Sequence, residues 1–238
     1  MLRRLLGLVG SLVMLFAFAT PAAAQQPLTL VVDAVRLGSG AQPAAIQAAL
    51  PACSDSAFNK EGAKQGGTYK WSFKASSTPS YLTKSAVAAA LQQSLSNMTN
   101  EHNDCGRPDT VSATHQYLGT TSRAPNCGAP DGVNVIGFAS LGNGILAVTC
   151  YWTSGSRIVE ADVKISTAVT WALSLTGCHN KPLLQSTMTH EAGHVFGLAH
   201  VGESKHGRLT MSPYIDGMCE DNETTLGLGD MLGLESLY

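Results

Sequence analysis

One short stretch constrains this chain more than any other part of it. Residues 190–200 read His-Glu-Ala-Gly-His-Val-Phe-Gly-Leu-Ala-His. On an α-helix, His190 and His194 lie about 6 Å apart along the axis and point to the same side. Two imidazoles placed in this way can direct ring nitrogens at one ion about 2.1 Å away. The spacing therefore predicts a helix that presents a pair of metal ligands.

The rest of the stretch predicts a catalytic metal site rather than a closed structural one. Gly197 can adopt the left-handed conformation that ends a helix, so the chain can turn and deliver a third imidazole, His200. Three protein ligands leave the fourth position to water, as in catalytic zinc sites. Glu191 can hold that water and take its proton without binding the metal. The predicted ligands of this single zinc ion are His190, His194 and His200.

The first residues have the form of a secretory signal peptide. Arg3 and Arg4 precede an apolar run from Leu5 to Ala19, which is shorter than the roughly 20 residues that span a bilayer. Residues 22–24 are small, as at a cleavage site. We expect residues 1–24 to be removed and the mature chain to be secreted, extracellular or periplasmic. An uncleaved membrane anchor is the alternative.

The composition fits one ordinary secreted domain after that leader. Hydrophobic residues make up 44% of the 238 residues and charged residues 13%, with a formal net charge of -2. The chain can therefore build a core, and its scattered lysines and arginines form no basic stripe for nucleic acid or anionic lipid. We expect a monomer with no nucleic-acid partner and no membrane attachment after signal cleavage.

Hydrophobic periodicity predicts an α+β arrangement ahead of the histidines. Residues 69–75 alternate as a half-buried strand does, and apolar residues recur at helical spacing from Thr83 to about Asn103. Four further strands are predicted, the last two as an antiparallel hairpin; they cover residues 115–120, 134–139, 145–152 and 157–166. Residues 25–67 are interpreted as a polar N-terminal arm or a short pro-segment.

The histidine stretch also carries a family resemblance. Residues 190–200 match the H-E-x-x-H-x-x-G-x-x-H signature of the metzincin metallopeptidases. The segment around Met211 resembles the methionine-bearing turn that lies below the metal in that clan. Within the clan the chain is most similar to the matrixins, because Met211 is followed by Pro213 and Tyr214 and because residues 230–238 resemble their last helix.

The resemblance implies both a fold and an activity. It implies a catalytic domain over residues 68–238, with a twisted five-stranded mixed sheet, long helices above a cleft and a small irregular subdomain over about 198–238. The implied activity is zinc-dependent endopeptidase action on a protein or peptide substrate, with Pro213 and Tyr214 in the substrate pocket. An edge strand over residues 145–152 would pair with that substrate, since an unpaired edge is a template for an extended chain.

Other matrixin metal sites are not expected in this chain. Vertebrate matrixins hold a structural zinc and calcium in loops rich in His, Asp and Gly. Residues 134–166 contain no histidine and Asp162 as the only aspartate. The sequence therefore supports one catalytic zinc and does not support calcium.

Six cysteines follow the leader, and an even number behind a signal peptide predicts up to three disulfides. Free buried thiols are the alternative. Residues 125–131 resemble the matrixin pro-segment motif, in which a cysteine caps the zinc. A cut after Asp131 would remove a predicted strand and the long helix, so structural disulfides are favoured. The favoured pairs are Cys178 with Cys219, Cys127 with Cys150, and Cys53 with Cys105.

Three functions are compatible with these patterns. Peptide-bond hydrolysis is the leading hypothesis, with Glu191 as general base. A non-catalytic secreted zinc-binding module of the same fold is the main alternative, and hydrolysis of a non-peptide substrate is another. Glu191 distinguishes the first two, since a purely structural zinc site has no need of a carboxylate at that position.

Overall fold

A computed structural model describes residues 27–38, 49–215 and 217–238. The predicted signal peptide, residues 1–24, lies outside the described residues. Within them the chain forms ten strands and four helices, which in chain order are β1 (Thr29–Leu37), β2 (Asn59–Lys60), β3 (Lys64–Gln65), β4 (Tyr69–Phe73), α1 (Lys84–Thr99), β5 (His115–Thr120), β6 (Asn134–Ala139), β7 (Ile145–Ser154), β8 (Arg157–Ser166), α2 (Leu184–Phe196), β9 (Leu198–Ala199), α3 (Glu203–His206), β10 (Tyr214–Ile215) and α4 (Leu228–Glu235).

Most of the strands belong to one mixed sheet. Its order is β10-β1-β7-β8-β6-β4-β5, with β3 beside β8. Strands β4, β5, β6 and β8 are parallel to their neighbours in this set, whereas β7 is antiparallel to β8. A second sheet contains only β2 and β9. The predicted α+β class is therefore confirmed.

The sheet is wider than the predicted five strands. Five strands come from the expected segments, and β1, β3 and β10 bring the number to eight. The expectation that the β7 edge lies free is wrong, because β1 pairs with it over Thr29–Arg36. The residues of β1 are mostly apolar and β-branched, which suits a pleated, half-buried surface. Treating residues 25–67 as a polar arm overlooked this run.

The bounds of the predicted elements are largely confirmed. Strands β5, β6 and β8 have the predicted ends, and β7 runs two residues further than predicted, to Ser154. Strand β4 stops at Phe73, because the chain enters a 3-10 turn over Ala75–Ser77. Helix α1 ends at Thr99 rather than near Asn103, since Glu101 has a φ of 41°, which is incompatible with a right-handed helix.

The two long helices pack together on one face of the sheet. Helix α1 buries its apolar stripe completely, and α2 is buried along almost its whole length. The Ser94 hydroxyl donates to the Gln185 carbonyl oxygen at 3.2 Å, which joins the two helices by a polar contact as well. Helix α2 carries His190 and His194, so this packing holds both histidine side chains in place.

Disulfides close the structure at three points. The bonds are Cys53–Cys105, Cys127–Cys150 and Cys178–Cys219. All three favoured pairings are confirmed, and no described cysteine is free. Cys127 therefore does not serve as a metal-capping thiol in this structure. Among the helices of the described residues, none is long and apolar enough to cross a membrane.

Candidate metal centre

Three imidazoles converge as the sequence predicts. The Nε2 atoms of His190 and His194 lie 3.0 Å apart, and those of His200 and its two partners lie 3.0 and 3.1 Å apart. Tetrahedral ligands at about 2.1 Å from zinc are separated by about 3.4 Å, so a small adjustment admits one ion. His190 and His194 are fully buried, while His200 is half-buried. These residues fit a three-histidine metal site.

Backbone carbonyls orient two of the rings. Nδ1 of His190 lies 2.7 Å from the Thr210 carbonyl oxygen, and Nδ1 of His194 lies 2.9 Å from the Leu198 carbonyl oxygen. A carbonyl oxygen only accepts, so each Nδ1 carries the hydrogen and each Nε2 keeps its lone pair for a metal. The tautomers are thereby set by the backbone on both sides of the site.

Burial keeps two of the three rings neutral. It lowers the pKa of His190 well below its usual value and lowers the pKa of His200 to about 4. Burial also disfavours the charged form of His194, but a hydrogen bond to Glu61 and the charge of Glu191 outweigh it and raise the pKa of that ring. Among the three rings, His194 is therefore the one at which a proton competes most with a metal ion.

Gly197 performs the predicted turn after the helix. Its φ is 98°, and its N–H donates to the His194 carbonyl oxygen at 3.0 Å. A Cβ at this position would collide with the Ala63 carbonyl oxygen. The chain then enters β9, which pairs with β2, and the Asn59 side chain donates to the His200 carbonyl oxygen at 2.8 Å. This route brings the third histidine back to the helix.

Met211 lies against the metal-binding helix, as expected for a turn below the site. It is 2% exposed, and a Cβ at Gly193 would collide with its sulfur atom. The Asp230 carboxylate accepts the backbone N–H groups of Thr210 at 2.9 Å and Met211 at 3.2 Å, which supports the turn from α4. A side chain at position 193 would therefore require the Met211 side chain to shift.

Glu191 is a buried carboxylate that is only partly satisfied. The Thr149 hydroxyl donates to Oε2, whereas Oε1 makes no hydrogen bond with any described residue. Burial raises its pKa to about 7, against the opposing effects of the His194 charge and the Thr149 hydrogen bond. A buried polar atom without a protein partner marks a place for a polar ligand such as water. The predicted general base thus has an oxygen available.

Comparison with protein-family models and with curated proteins gives no match for this chain. The functional assignment therefore rests on the geometry of the site and on the sequence signature that predicts it.

The predicted pocket residues, Pro213 and Tyr214, lie next to β1 at the β10 end of the sheet. The Pro213 carbonyl oxygen accepts the N–H of Arg36 at 3.0 Å, and Tyr214 begins β10 with its side chain 37% exposed. Both residues therefore flank the strand that pairs with β7. The role of Pro213 and Tyr214 in a substrate pocket stays a prediction.

Sequence reasoning missed three polar residues near His194. Asp33, Glu61 and His194 place potential ligand atoms within 4.8 Å of one another, and Glu61 Oε1 lies 3.5 Å from His194 Nδ1. Tyr151 interacts with both acids. Burial raises the pKa of Tyr151, and the charges of Glu61 and Asp33 raise it as well. Asp33 and Glu61 are remote in sequence from the histidines. The run of mostly apolar and β-branched residues over Thr29–Leu37 was the one usable signal. It identifies a strand but not the strand beside it.

The other histidines behave as hydrogen-bonding residues where contacts are defined. His115 contacts Ser96 and Trp71, His102 contacts Asn97, and His206 lies 2.8 Å from Asp55. None of them joins a metal-ligand group among the described residues.

Proposed function

We propose that this protein is a secreted zinc-dependent endopeptidase of the metzincin type, most similar to the matrixins. The observation that carries the proposal is the pairing of a three-histidine trio with a buried carboxylate, Glu191, whose Oε1 makes no hydrogen bond with any described residue. A closed structural zinc site has four protein ligands and no free acid beside them. Three ligands with an adjacent acid favour a hydrolytic centre.

The chemistry divides between the metal and one side chain. A zinc ion held by the trio supplies a Lewis acid and lowers the pKa of its bound water. Glu191 takes a proton from the attacking water at Oε1 and delivers it to the leaving amine. Thr149 holds the other carboxylate oxygen in place. In the metal-free site, burial raises the pKa of Glu191 toward the range in which a carboxyl group both accepts and releases a proton.

A peptide is the substrate that the surroundings favour. Strands β7 and β10 lie on either side of β1, so the groove between them binds an extended backbone through main-chain hydrogen bonds. Secretion is supported by the predicted leader and by three disulfides, which persist in oxidising compartments. The alternative, a non-catalytic zinc module, does not explain why a buried carboxylate lies at position 191.

The proposal is tested by hydrolysis of a proteome-derived peptide library. Because β1 covers the groove, both the intact chain and Arg36→Pro are assayed; the proline lacks the N–H that bonds Pro213. We expect new cuts that a chelator abolishes and added zinc restores. His194→Ala should lose most of the bound zinc, as two ligands remain. Absence of cuts in both chains, with one zinc bound to each, favours the non-catalytic module.

A further inference from the structure

Strand β1 lies where the proposed groove would hold a peptide. It runs antiparallel to β7, with Thr29 opposite Thr153 and Val35 opposite Ala147. On its other side it runs parallel to β10, and the N–H groups of Arg36 and Gly38 donate to that segment at 3.0 and 2.9 Å. The strand is therefore held along both edges by its backbone, the mode that sequence-tolerant peptide binding uses.

The middle of β1 passes directly over the reactive side chains. Asp33 is in register with Thr149, whose hydroxyl bonds the Glu191 carboxylate. The backbone N–H of Val35 also interacts with that carboxylate. Asp33 lies within 4.8 Å of a potential ligand atom of His194. Residues 33–35 thus lie across the site between the general base and one of the metal-binding histidines.

One side chain anchors the strand. Val35 is fully buried and belongs to the main apolar core, whereas Val32 on the same strand is 53% exposed. Burial of a valine side chain contributes about 1.5–3 kcal/mol. The groove therefore includes an apolar pocket at the position that Val35 occupies, next to Glu191. The remaining side chains of β1 are exposed or half-buried, so the strand can leave without dismantling the core.

We propose that β1 is a built-in peptide ligand of the groove, which occupies the substrate position with Val35 in the pocket beside Glu191 and the Ala34–Val35 bond at the site. The proposal rests on the proposed function for the identity of the groove. It assigns the protein a self-blocked state, and it defines the ligand class as an extended peptide with a branched aliphatic side chain at the position of Val35.

The test measures binding and needs no catalysis. A fluorescent peptide with the sequence of residues 29–37 is titrated into the zinc-loaded full chain carrying Glu191→Ala, with polarisation as the readout. In this background Val35→Asp should tighten peptide binding by about tenfold or more, because a tethered strand competes at an effective concentration in the millimolar range. Val32→Asp is the matched control and should change nothing, since its side chain faces solvent.

A second pair of variants keeps the test decisive if Val35→Asp does not fold. Arg36→Pro removes one backbone N–H from the pairing with Pro213, while Arg36→Ala removes only an exposed side chain. We expect tighter peptide binding with the proline alone. Binding that is no tighter in Val35→Asp or Arg36→Pro than in the background overturns the proposal. The same two variants are also made with Glu191 intact and assayed for hydrolysis. Tighter peptide binding without hydrolysis supports the built-in ligand and contradicts only the proposed peptidase activity.

Discussion

At the scale of single residues, three buried acids differ in how fully their carboxylate oxygens are hydrogen-bonded. Burial raises the pKa of Glu191 and Asp162 to about 7 and that of Asp230 to about 6. Asp162 and Asp230 each accept at least two backbone N–H groups, so both are tied into the fold. Glu191 alone of the three keeps an oxygen without a partner, and it lies at the metal centre.

Asp162 provides a pH test of these shifts. It accepts N–H groups from Asn126 at 2.5 Å and Val135 at 2.6 Å, but burial still raises its pKa from 3.8 to about 7. The folded state therefore keeps a proton that the unfolded state has lost between those values, and its contribution to stability is lost as the pH rises through the window. The loss amounts to roughly 4 kcal/mol at most.

As the pH rises from 4 to 7, we expect the free energy of unfolding of the wild type to fall relative to that of Asp162→Asn. Denaturant unfolding of both chains at several pH values measures this difference. The constant cost of replacing an acceptor by an amide does not alter the slope, and the histidine site is common to both chains. Parallel stability curves for the two proteins would show that Asp162 does not titrate in this range.

At the scale of elements, the sequence predicted those strands whose hydrophobic pattern and flanking turn lie within their own segment. Strand β8 alternates apolar and polar residues in its sequence and is preceded by a tight turn, so its bounds agreed with the prediction. Strand β1 carries the same kind of residues, but its partner β7 begins more than a hundred positions later. The residues of β1 do not specify β7 as its partner, because the pairing depends on the tertiary fold.

The turn that ends α2 is predicted to depend on Gly197. An alanine there would hold a φ of 98°, costly for any residue with a Cβ, and would also press on the Ala63 carbonyl oxygen. We expect Gly197→Ala to lower the free energy of unfolding by about 2 kcal/mol or more, and Tm by about 4 °C or more. Gly67→Ala is the control, since a Cβ there meets nothing within 4 Å. Equal melting curves for the two variants would contradict this role.

At the scale of the whole molecule, the candidate site collects residues from distant segments. The histidine trio could be predicted because helix geometry relates His190 to His194 and because the turn at Gly197 returns the chain with His200. Glu61 and Tyr151 could not, since only the complete fold brings Glu61 to His194 and Tyr151 to Glu61. The same holds for Thr149, which reaches Glu191 from β7, an interior strand of the sheet. The sequence signature thus predicts the histidine trio, while the surroundings of the trio follow from topology.

The Cys178–Cys219 bond links the approach to α2 with the segment after the Met211 turn. Its sequence separation is 41 residues, and a loop of about that length corresponds to roughly 4 kcal/mol in the chain-entropy model. We expect the double variant Cys178→Ser and Cys219→Ser to lose up to this amount in denaturant unfolding. Non-reducing peptide mapping of the wild type should recover the two cysteines in one linked peptide. A link from Cys178 to another cysteine would contradict the arrangement.

The most direct test of the account is Glu191→Gln measured for metal content and for hydrolysis together. In the Arg36→Pro chain, where β1 is loosened, we expect one zinc per protein with either residue at position 191, because the carboxylate is not a ligand. The value of kcat/KM should fall by about 10² to 10⁴ when the general base is removed. A glutamine variant that keeps its zinc and cleaves peptides as fast as its parent would contradict the assignment of Glu191, and with it the proposed mechanism.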